Sequence, residues 1–143
     1  MDVKHWPPVK NPRKYEGKAL FTGSVTDLYR PLEEKYGRTR ALLLQMQGSG
    51  CTVGIATKSD LALRDLDLIE TFPNARVSRS INALDKSSRR EMDGAANIER
   101  RLAAMKAFYD AGVRTTCFIS PIFPGIADIP AIVRRVKEQR NLI

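Results

Sequence analysis

Four times along this chain an apolar run of strand length is followed by a segment with helical punctuation, and that rhythm limits the fold more than any other feature. The first run covers residues 19–25. After it, Pro31-Leu32-Glu33-Glu34 opens a helix, with Pro in the first turn and acids near the positive end of the helix dipole. The helical pattern continues through residues 40–47 and stops at Gly48-Ser49-Gly50. The second run, 52–57, precedes a helix over 66–72 that ends near Pro73. The third strand is read at 75–81, and a polar stretch at 85–94 as a long loop with a short helical turn. Asn97 caps a helix running to Asp110, with Gly112 as its stop. The fourth strand is read at 115–119, and a Pro- and Gly-containing loop at 121–128 leads to a last helix with Pro130 at its start. Residues 1–17, with Pro7, Pro8 and Pro12, read as an irregular N-terminal arm, and 18–143 as the folded domain.

Strand and helix in alternation predict an α/β fold: a parallel sheet of about four strands joined by right-handed crossovers. The runs are continuously apolar, the expectation for strands covered on both faces. Four such units make half of an eight-unit TIM-type barrel or a small open doubly wound sheet, and the pattern alone fits either.

Composition excludes several classes. The chain has 143 residues, of which 43% are hydrophobic and 28% charged, the balance of one ordinary globular domain. No apolar run is long enough to cross a membrane, and the first residues lack the apolar core of a secretory signal, so a cytoplasmic protein without a membrane partner is expected. Cys51 and Cys117 lie far apart and His5 is the only histidine, which argues against a zinc site built from Cys and His. Both cysteines open or sit within strand-like runs and read as buried thiols. The net charge of +8 attracts phosphate. Yet both signs alternate along most segments, and the densest clusters are Arg100-Arg101 and Arg134-Arg135 with Lys137, so most charges read as solvated helix faces.

Parallel α/β folds carry their chemistry at the C-terminal ends of strands. Here those ends read Ser24-Val25-Thr26-Asp27, Thr57-Lys58-Ser59-Asp60, Ser78-Arg79-Ser80-Ile81-Asn82 and Ser120 before Pro121. Hydroxyls recur at each end, joined by a cation, acids and an amide, a set suited to a polar, partly anionic small molecule. Asp27 reads equally as a turn residue or a helix cap. Lys58, directly after a buried run, needs an anionic partner or open solvent. Ser80 and Asn82 alternate around Ile81 and share a face. No nucleophilic triad, phosphate-cradling loop or dinucleotide fingerprint is present.

At these same strand ends the chain resembles a known family. Gly23-Ser24-Val25-Thr26-Asp27 with Tyr29, Pro31 and Glu33 is similar to a stretch of the spore photoproduct lyase-like radical SAM (S-adenosylmethionine) proteins. So are Thr57-Lys58-Ser59-Asp60-Leu61 with Arg64-Asp65, Ser78-Arg79-Ser80-Ile81-Asn82, Glu99-Arg100-Arg101-Leu102, Ala111-Gly112-Val113 and Phe118-Ile119-Ser120-Pro121-Ile122. The resemblance implies a partial (half) radical SAM barrel with S-adenosylmethionine at its C-terminal mouth. It assigns Thr26 to the methionyl amino end, Lys58 to the carboxylate, and Ser80 and Asn82 to the carboxylate and ribose. Arg101 would support that network, and the backbone at Ser120 would face the adenine. The family cleaves this cofactor reductively to a 5′-deoxyadenosyl radical, which abstracts hydrogen from a substrate.

The family holds a 4Fe–4S cluster on a C-x3-C-x2-C motif, and this chain has none, so the cluster is expected of the full-length family and not of these residues. The reading is therefore a central fragment that carries part of the cofactor pocket and is inactive alone. DNA repair chemistry enters only through the lyase resemblance. The alternative is a noncatalytic basic module binding nucleic acid or a protein partner. Open sheet edges would also favour pairing of the chain with itself as a homo-oligomer.

Overall fold

The computed structural model describes residues 7–81, 98–120, 122 and 127–138. Its centre is a four-stranded parallel sheet formed by β1 (Ala19–Thr22), β2 (Thr52–Ala56), β3 (Arg76–Ser80) and β4 (Arg114–Phe118), ordered as in the sequence. Between β1 and β2 lie α1 (Pro31–Tyr36) and α2 (Arg38–Met46). A 3-10 helix (Asp60–Asp65) and the short α3 (Leu66–Ile69) follow β2, α4 (Ile98–Asp110) precedes β4, and α5 (Ile129–Glu138) follows it.

Several boundaries differ from the sequence reading. Strand β1 stops before Gly23, which turns into the left-handed region at φ 88°. A Cβ on Gly23 would lie 2.0 Å from the Ala56 carbonyl oxygen, so only glycine lets the chain leave the sheet there. Gly37, at φ 57°, splits the helical segment into α1 and α2. The segment read as the second helix, 66–72, is α-helical only over Leu66–Ile69, and a 3-10 helix, Asp60–Asp65, precedes it. The described part of the N-terminal arm contains a 3-10 turn, Pro12–Tyr15, and Val9 and Tyr15 pack against the core.

Sequential order in a parallel sheet puts every crossover on one face. The core confirms it. Val53, Ile55 and Val77 pack with Leu43 and Met46 of α2, Leu68 and Ile69 of α3 and Phe108 of α4. Cys117 packs with Ile98, Leu102 and Met105 of α4 and Ile132 and Val136 of α5. The alternating residues point the other way, and there Phe21 is 54% and Phe118 49% exposed. The expectation of strands covered on both faces is thus corrected, because the described helices cover one. Sequential strand order and one-sided cover by the described helices fit half of a barrel better than a doubly wound sheet.

Candidate functional site

The rim at the C-terminal ends of the strands is held by a chain of hydrogen bonds from loop to loop. Asp27, after β1, accepts the Thr57 hydroxyl at 2.7 Å on Oδ1 and the main-chain N–H of Lys58 at 2.8 Å on Oδ2. Its Oδ1 also accepts the N–H of Tyr29 at 2.9 Å. The turn role foreseen for Asp27 is real, and the same carboxylate also fastens the first βα loop to the second. The Thr57 hydroxyl accepts the Ser59 N–H at 3.0 Å, and Ser59 Oγ accepts the Leu61 N–H at 3.2 Å, starting the 3-10 helix.

The third strand joins this rim through Arg79. Its side chain is fully buried, and Nη2 donates to the Ser59 carbonyl at 2.5 Å. Among the described residues Nε and Nη1 have no acceptor. Burial pushes this guanidinium down to about 10; the nearby Asp60 and Asp27 carboxylates oppose the shift and Arg101 adds to it. Arg101, on the buried face of α4, donates from Nη1 to the Ser80 carbonyl at 3.0 Å, while Arg100 pairs with Asp60.

Beneath the loops lies an ionic hub. Asp65 is fully buried and receives Arg64 Nε and Nη2, both at 2.9 Å, Arg40 Nη1 at 3.1 Å and the Tyr29 hydroxyl at 3.1 Å. Burial and the Asp65 charge hold the Tyr29 phenol protonated. Glu33, read from sequence as a dipole partner of its own helix, is buried and caps the next one. Its carboxylate accepts the N–H groups of Arg38 at 3.0 Å and Thr39 at 2.9 Å, and pairs with Arg64 at 2.8 Å. A site search from sequence missed Arg79, Glu33 and Asp65, because their partners lie on other elements.

Of the positions chosen from sequence, the described Thr26, Lys58, Ser80 and Ser120 fall on this one rim. Lys58 and Thr26 are exposed, and Thr26 precedes the Asp27 that binds the Lys58 backbone. Ser80 is the last residue of β3 and half-buried. Ala56 pairs with Ser78, so continuing the register sets Lys58 beside Ser80. Ser80 pairs with Phe118, which puts the exposed Ser120 two residues beyond on the neighbouring strand. Asn82 and His5 lie outside the described residues. Hydroxyls, an ammonium and backbone groups on one rim fit a zwitterionic ligand such as S-adenosylmethionine.

The thiols do not fit a cluster. Cys51 lies buried at the opposite end of the sheet, before β2, and Cys117 is buried within β4, where burial pushes its thiol up to about 11. A group so placed resists becoming the thiolate that iron requires. Among the described residues no group of three or more His, Cys, Asp and Glu side chains converges, and no helix is long and apolar enough to cross a membrane.

Comparison with known proteins agrees with this architecture. The uncharacterized protein MJ0683 of Methanocaldococcus jannaschii is 34% identical over 134 residues, covering 93% of this chain and 51% of that protein. The uncharacterized protein Rv2578c of Mycobacterium tuberculosis is 29% identical over 115 residues, covering 78% and 34%. The uncharacterized protein ORF301 of Acidianus two-tailed virus is 27% identical over 134 residues, covering 92% and 42%. The chain thus spans about half the length of MJ0683 and less of the other two. No solved structure matches it significantly. The model of the radical SAM superfamily matches residues 9–135, nearly the whole partial barrel and its rim, and the chain belongs to that superfamily.

Proposed function

We propose that this chain supplies part of the S-adenosylmethionine pocket of a spore photoproduct lyase-like radical SAM enzyme, and that these residues alone do not turn over substrate. Superfamily membership implies S-adenosylmethionine and a 4Fe–4S cluster, which together supply one-electron chemistry at a substrate C–H bond. The residues here act on the cofactor's polar end. Lys58 meets the methionyl carboxylate as a point charge, Thr26 accepts from the amino group, and Ser80 and Asn82 bond the carboxylate and ribose. Arg101 steadies the Ser80 backbone through its carbonyl, and the main chain at Ser120 borders the adenine.

The observation that carries this reading is the Asp27 bridge. It fixes the Lys58 backbone from the loop after β1, so the residue that carries the rim cation starts from a preorganised position. Amide spectra of the labelled chain, recorded as S-adenosylmethionine is added, test it. Shifts should concentrate at Thr26, Lys58, Ser80 and Ser120. Shifts elsewhere, or none at saturating cofactor, would remove the assignment.

A further inference from the structure

Arg79 stands where the core calls for an apolar residue. On the helix-covered side of β3 it lies between Val77, packed in one hydrophobic cluster, and Ile81, packed in the other. Its side chain is fully buried. Nη2 donates to the Ser59 carbonyl at 2.5 Å, and among the described residues Nε and Nη1 meet no acceptor. The carboxylates whose charge reaches it are bonded elsewhere: Asp60 pairs with Arg100, and Asp27 holds Thr57, Lys58 and Tyr29. The buried Arg101 adds repulsion. A desolvated guanidinium with one neutral acceptor costs the fold more than that bond returns, so packing does not account for this residue.

The one bond it makes falls on the residue after Lys58. The other polar groups of this loop are held from within it or from β1: the Ser59 N–H by the Thr57 hydroxyl, the Leu61 N–H by Ser59 Oγ, and the Lys58 N–H by Asp27. Arg79 adds an anchor from β3, a strand paired on both sides. The next residue on that strand, Ser80, faces the open side by alternation and lies beside Lys58 in the continued register. One stretch of β3 thus presents Ser80 to the rim and sets the height of the Lys58 loop.

We propose that Arg79 is a positioning residue: its bond clamps the Ser59 peptide from below and holds Lys58 level with Ser80, and the fold gives up stability for that placement. The use of the placement, to grip the cofactor's carboxylate, rests on the function proposed above.

The test compares the native chain with Arg79→Met and Arg79→Lys by thermal unfolding, amide hydrogen exchange and calorimetric titration of S-adenosylmethionine. Methionine fills a similar volume without a buried charge, so Arg79→Met should unfold at the same temperature or higher. Its amides at Lys58, Ser59 and Leu61 should exchange several-fold faster while those of β3 keep their rates, and its affinity for S-adenosylmethionine should fall about fivefold. Arg79→Lys, which keeps a donor for the Ser59 carbonyl, should recover most of the protection and the affinity. Affinity lost without stability marks positioning, since a residue that only supports the fold loses both together. A lower unfolding temperature with faster exchange throughout the sheet, or unchanged loop exchange in Arg79→Met, overturns the inference. Full affinity in Arg79→Met, where the native chain binds, overturns it as well. The exchange measurement contains no cofactor and fails separately from the pocket: no heat from the native chain, with loop exchange raised in Arg79→Met, removes the pocket reading and upholds the clamp.

Discussion

The Asp27 carboxylate holds the backbone of Lys58, 31 residues away, at 2.8 Å, and grips the Thr57 hydroxyl beside it at 2.7 Å. This one side chain ties the loops after β1 and β2 together and decides where the rim cation starts. Removing it leaves the Lys58 N–H and the Thr57 hydroxyl without their acceptor. Asp27→Ala should cost about 1–3 kcal/mol in urea denaturation, and Asp27→Asn less, because one oxygen remains. Amide exchange at Lys58 should accelerate in both. Unchanged exchange would show that the bridge does not hold the loop.

The hub at Asp65 makes a stronger claim. Asp65 is fully buried under two arginines and a tyrosine, whereas Asp67, paired with Arg40 at 2.8 Å, is largely exposed. Asp65→Ala strands Arg64 and should cost about 3–5 kcal/mol, enough to unfold a marginal chain. Asp67→Ala removes a screened surface pair and should cost far less than Asp65→Ala. Equal losses in thermal unfolding would contradict the burial argument.

Two glycines make a paired test of close packing. Gly23 has φ 88° and faces the Ala56 carbonyl, which is backbone and cannot yield. Gly54 faces the Phe21 ring, which can swing toward the open face. Gly23→Ala should therefore destabilise by more than about 2 kcal/mol and Gly54→Ala by about 1 kcal/mol. The reverse order in thermal denaturation would place the tight contact at the wrong glycine.

Cys117 gives a pH dependence with a defined sign. Burial raises its thiol from 9.0 to about 11, so the folded state keeps a proton that the unfolded state releases first. Its contribution is fully present below pH 9 and is lost as pH rises from 9 to about 11, a drop of about 2–3 kcal/mol. The stability difference between the native chain and Cys117→Ala should shrink over that interval. Parallel pH curves for the two proteins would exclude it.

The local signals were legible in the sequence. Glycines and prolines punctuated the strand–helix rhythm, and the polar residues after each strand landed on one rim because parallel strands share a direction. What stayed hidden depends on partners brought together by folding. Glu33 looked like a first-turn acid of its own helix, yet it caps α2 and pairs with Arg64, 31 residues on. Arg79 looked like a rim residue within an apolar strand, and only the alternation of β3 sends it to the helix side, under Ser59. The one-sided cover of the sheet was hidden too. Small residues such as Gly54 and Ala56 face the open side, and a run of small and apolar residues looks the same whether one face is covered or both.

Calorimetric titration of S-adenosylmethionine into the chain and into Lys58→Ala tests the central claim most directly. Saturable binding by the native chain, weakened about tenfold in a variant with unchanged circular dichroism, is the predicted outcome, the loss expected for one charged contact to a carboxylate. Equal affinity of the two proteins, or no heat from the native chain, would contradict a rim built to hold the cofactor's zwitterionic end.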